Sequence, residues 1–110
     1  MYRTSIIDQE IEKLWAVFQL ARCNHQADTA RILLKAALLY LHVRGLQSPV
    51  RQPEIKNQAI DLEKEMEKIW GALVLGAKYG DPDFERTVFK KSLQQMFFKG
   101  LSHSPVIYRD

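Results

Sequence analysis

Four carboxylates crowd one short stretch of this chain: Asp61, Glu63, Glu65 and Glu67. Carboxylates at that density are the usual ligands of a hard divalent cation and the usual acids and bases of a hydrolase. On a helix, residues four apart share a face. Asp61 therefore aligns with Glu65, and Glu63 with Glu67, so the four are scattered rather than convergent. A second acidic pair would have to come from Asp8 and Glu12. With Lys64 and Lys68 interleaved, the stretch reads as a solvated charged face. The oppositely charged pairs three apart, Asp61 with Lys64 and Glu65 with Lys68, add ~0.2–0.5 kcal/mol each at most.

No other residue anchors a reaction. All-α nucleotide pyrophosphohydrolases of the MazG type carry Glu-x-x-Glu and Glu-x-x-Asp pairs on neighbouring helices. The acids here depart from that spacing in both places, and no resemblance is drawn. His25, His42 and His103 stand apart, without ligand spacing or a cysteine pair for zinc. Cys23, the single cysteine, has no acid beside it and reads as a packing residue. It cannot form a disulfide within the chain. There is no glycine-rich phosphate loop and no Gly-x-Ser-x-Gly. No catalytic residue, metal or cofactor is assigned, and the balance leans away from an enzyme.

Arg86, Lys90, Lys91 and Lys99 form a basic run with no acid between Arg86 and Lys99, interleaved with Phe89, Phe97 and Phe98. Such a helix face suits nucleic-acid phosphates. The competing reading is that cations near a helix C-terminus answer its dipole while the phenylalanines are core, and it is preferred. A helix-turn-helix does not fit, because the helix that would read bases is too apolar.

The 110 residues suffice for one domain with one core. Charged residues make up 26% and hydrophobic ones 46%, a globular balance, and the net charge is +3 with the cations spread along the chain. The N-terminus turns polar where a signal peptide would be apolar, and the apolar run Ile32 to Val43 is broken by Lys35 and His42. A soluble cytoplasmic protein without membrane contact is expected.

The elements follow from periodicity. The organising stretch is Pro53 to Lys78, where Ile55, Ala59, Leu62, Met66, Ile69, Leu73 and Gly76 recur in steps of four and three. Pro53 suits the first position of a helix over 53–79. A first helix over about 5–23, capped by Thr4 or Ser5 with Asp8 in its first turn, carries Ile7, Ile11, Leu14, Phe18 and Ala21 at the same spacing. Asn24 is the candidate for a left-handed stop. One continuous helix through residue 44 is the alternative. The hairpin is favoured, since a continued stripe would put His25 and Asp28 on the seam.

The second helix, about 27–44, is apolar almost all round except for a strip of Asp28, Arg31, Lys35 and His42, and Gly45 is its expected stop. Gly71 and Gly76 suggest tight packing late in helix three, and Gly80 closes it. Asp81-Pro82-Asp83 then starts a fourth helix over about 82–99, with a seam of Phe89, Leu93, Met96 and Phe97 and Gly100 as its stop. The tail 101–110 either docks as an extended arm or stays loose. An all-α antiparallel bundle of about four helices is expected.

Such a bundle has little interior for so many large apolar groups, so a protein partner or self-association is expected. Trp15 and Trp70 flank their seams, Leu75 lies in the charge-free end of helix three, and Phe98 falls on the outer face of helix four; these four are the candidate contact residues. Self-association is placed at that charge-free end or on helix one. Glu63 and Glu65 flank the helix-three stripe, so its middle should pack against basic flanks such as Arg31 and Lys35 or Lys90 and Lys99.

Overall fold

Asp81 accepts a hydrogen bond from Phe84 N at 3.0 Å, and Pro82 follows as the first helical residue. This satisfies one of the donors a helix start leaves orphaned. The computed structural model describes residues 4–48, 59–102 and 107–109. Its helices are α1 (Thr4–Cys23), α2 (Ala27–Leu46), α3 (Leu62–Lys78) and α4 (Pro82–Ser102). Two short strands, β1 (Ala59–Asp61) and β2 (Ile107–Arg109), pair in parallel with Ile60 opposite Tyr108.

The α1–α2 hairpin forms as expected, one residue later than expected. Asn24 N still donates to Leu20 O, and the left-handed residue is His25, with φ of 58°. His25 N reaches Arg22 O at 3.1 Å and Gln26 N reaches Ala21 O at 3.0 Å, the paired bonds of a Schellman stop. Gly80, with φ of 64°, closes α3 by the same two bonds. Asp8 lies beyond the first turn of α1, where it accepts from Gln94 Nε2 at 2.8 Å.

Helix α3 does not begin at Pro53. Ala59–Asp61 is extended, and Asp61 Oδ1 caps the helix by accepting from Lys64 N at 3.0 Å. Glu63 and Glu65 in the first turn favour a start here, against the positive helix end. Residues 53–58 lie outside the described residues. The four-three stripe thus carries on past the true helix start, and in the strand Ile60 turns inward instead.

The seams are otherwise buried as their spacing requires. Ile7, Ile11, Phe18 and Ala21 of α1, Leu62, Met66, Ile69 and Leu73 of α3, and Phe89, Leu93, Met96 and Phe97 of α4 all enter one core. Helices α2 and α4 pack together most extensively, and α1 and α3 flank that pair, each touching both. Two glycines expected to stop helices lie inside them. Gly45 and Gly100 instead let α2 and α4 cross, with a Cβ on Gly45 reaching within 2.8 Å of Gly100 Cα. Gly76 likewise admits Phe84 and Glu85, whereas Gly71 has nothing near it, so only one of that pair marks tight packing.

Candidate interaction surface

Three of the scattered acids stand beside cations, and Asp61 caps α3. On the flank of α3, Glu67 pairs with Arg31 and Glu63 pairs with Lys35 at 3.1 Å, both from α2. Glu65 lies 3.8 Å from Lys99 of α4 and 3.9 Å from Lys68. The middle of α3 therefore packs on basic flanks, as its charge pattern requires. Among the described residues no group of three or more His, Cys, Asp or Glu side chains gathers as a metal site.

Two cations of the basic run share one acid of α1. Arg86 Nη2 donates to Glu12 Oε2 at 2.5 Å, and Lys90 Nζ stands 2.9 Å from Glu12 Oε1. Hydrogen bonds from Lys90 and then Arg86 hold the Glu12 carboxyl below its ordinary value of 4.5. Lys99 is the cation beside Glu65, which leaves Lys91 exposed on the outer side of α4.

The expected contact residues divide. Trp15 and Trp70 are half-buried in an aromatic cluster: Trp15 lies 5.0 Å from Phe89, and Phe18 meets Trp70 edge-on at 6.1 Å. Arg31 stacks over the Trp70 ring at 5.4 Å. Leu75 and Phe98 are exposed. Leu75 sits with exposed Val74, Tyr79 and Phe84 around the α3–α4 turn. Phe98 borders a cleft of about 230 Å³ with Ile7, Asp8, Gln94 and Phe97.

Another apolar face lies on α2. Its inner side buries Ala30, Leu34, Ala37, Leu38 and Leu41. Most of its polar strip is turned from the outer side: Arg31 and Lys35 lean onto α3 and His42 is fully buried, while Asp28 stays exposed. Beside Asp28, what remains outside is Thr29, Ile32, Ala36 and Tyr40, with half-buried Val43, and Ile32 is 68% exposed. A surface helix ordinarily shows its polar side to solvent; α2 shows an apolar one. The spacing that could have revealed this is present, but which side faces α3 depends on the partner acids Glu63 and Glu67.

The other edge of this face is also satisfied within the chain. Tyr40 Oη donates to Glu10 Oε2 at 3.0 Å, and Arg44 Nη2 stands 3.0 Å from Glu10 Oε1. Burial, then the bond to Glu10, raises the Tyr40 hydroxyl above its ordinary 10.0. The ring can thus be covered without stranding its donor. Among the described residues no helix is long and apolar enough to cross a membrane. No family model, curated protein or solved structure matches this chain, so the surface stands on its own geometry.

Proposed function

We propose that this chain is a small non-enzymatic protein-interaction module that docks through the outer face of α2. One observation carries the reading: α2 turns Arg31 and Lys35, the cations of its charged strip, onto α3 and leaves Ile32, Ala36 and Tyr40 outside. A helix apolar on both sides is normally covered on both. Burying each large side chain of this face contributes ~1.5–3 kcal/mol, enough for a few to hold a partner. Self-association and docking as a subunit or adaptor both fit. The nucleic-acid alternative would rest on Lys91, since Arg86, Lys90 and Lys99 already face Glu12 and Glu65.

A photoreactive residue at Ile32 in the native cell tests the reading. A discrete covalent adduct with a protein is expected, with none from the same residue at Lys91. Equal labelling at both positions, or none at Ile32, contradicts it.

A further inference from the structure

We propose that the partner on the outer face of α2 is a second copy of this chain, its α2 laid antiparallel across a two-fold axis beside Ala36. The inference rests on the interaction reading and names its occupant. Two features point to self-pairing.

The first is charge. Every cation on the rim has its acid within the same chain: Arg31 with Glu67, Lys35 with Glu63, and Arg44 with Glu10. An acidic partner would find no uncompensated cation to answer, whereas Asp28, exposed and with no cation beside it among the described residues, stands level with Arg44 of a second copy about Ala36. The second is spacing. Thr29, Ile32, Ala36, Tyr40 and Val43 follow in steps of three, four, four and three, which read the same from either end. In an antiparallel pair centred on Ala36, Thr29 stands level with Val43 of the other copy and Ile32 with Tyr40. The smallest side chain of the set then lies at the axis, where two helices approach most closely. Such an isologous contact closes on itself and stops at a dimer.

Sedimentation equilibrium of the full chain reads the mass directly. Wild type is expected to move from 12.8 kDa to twice that as concentration rises. Ala36→Glu and Ala36→Lys, each placing like charges face to face, are expected to weaken the dimer by about 100-fold. An equimolar mixture of the two should regain it. Ala36 is exposed, so circular dichroism should show unchanged helix in both variants. A dimer that survives both substitutions but is lost on Leu75→Lys overturns the inference and leaves the chain an interaction module at its α3–α4 turn. A wild type that stays monomeric also overturns it. If Ile32 then still yields a covalent adduct in the cell, the interaction reading stands with a different protein as occupant. If it yields none, both fall.

Discussion

Gly45 of α2 and Gly100 of α4 stand against each other where the two helices cross: a Cβ on Gly100 would lie 2.9 Å from Gly45 Cα and would strike the His42 carbonyl oxygen. The obstructing atoms are backbone, which cannot rotate aside. Gly45→Ala and Gly100→Ala are each expected to destabilise by about 2 kcal/mol or more through forced separation of the helices. Gly71→Ala, with nothing within 4 Å, is expected to stabilise by ~0.5–1 kcal/mol. Urea denaturation of the three variants checks both signs, and a neutral Gly100→Ala would contradict the crossing.

Glu12 links α1 to α4 through Lys90 and Arg86. Its carboxyl titrates below 4.5 in the folded chain, so the stability it contributes is fully present above that value. It is lost as pH falls through the lower folded value. Wild type should therefore lose melting temperature on acidification below pH 4.5 more steeply than Glu12→Gln. Parallel pH profiles for the two proteins would show that the pairing adds nothing.

Arg22 Nη1 meets Glu85 Oε1 at 2.5 Å, with both side chains largely buried, and so ties the end of α1 to the start of α4. Removing one partner leaves the other charge in a dry setting. Glu85→Leu is expected to cost about 3 kcal/mol. The double variant Arg22→Met/Glu85→Leu should recover part of that loss, because neither charge is then stranded. Chemical denaturation of these two and of Arg22→Met alone completes the cycle, and additive losses would contradict a coupled pair.

The β1–β2 pairing joins the end of the chain to the residues before α3. Ending the chain at Ser102 removes β2, the strand partner of Ala59–Asp61 among the described residues. Amide hydrogen exchange there should quicken by at least about tenfold, while the centre of α2 keeps its protection. Unchanged exchange at Ile60 would mean that β2 does not hold β1.

Much of this was legible in the residues. The seams of α1, α3 and α4 could be read because one helix face is buried at a fixed period, and Asp81-Pro82 because a cap and a proline act locally. That the middle of α3 packs on basic flanks followed from Glu63 and Glu65; the pairing of Glu67 with Arg31 did not. Other features depend on distant groups. Gly45 and Gly100 look like stops in sequence, and only the crossing of two helices makes them contacts. Pro53 is a sound helix start in isolation, yet Asp61 with its following acids begins α3. The all-round apolarity of α2 was plain. That most of its polar strip turns inward was not, since the acids that draw it belong to α3.

A short thiol-to-thiol cross-linker on Ala36→Cys in a Cys23→Ser background tests the central claim most directly. The account requires covalent dimer in high yield at position 36 and little at an Ala77→Cys control on the exposed side of α3. Equal yields at the two positions, or monomer alone at 36, would contradict self-pairing through α2.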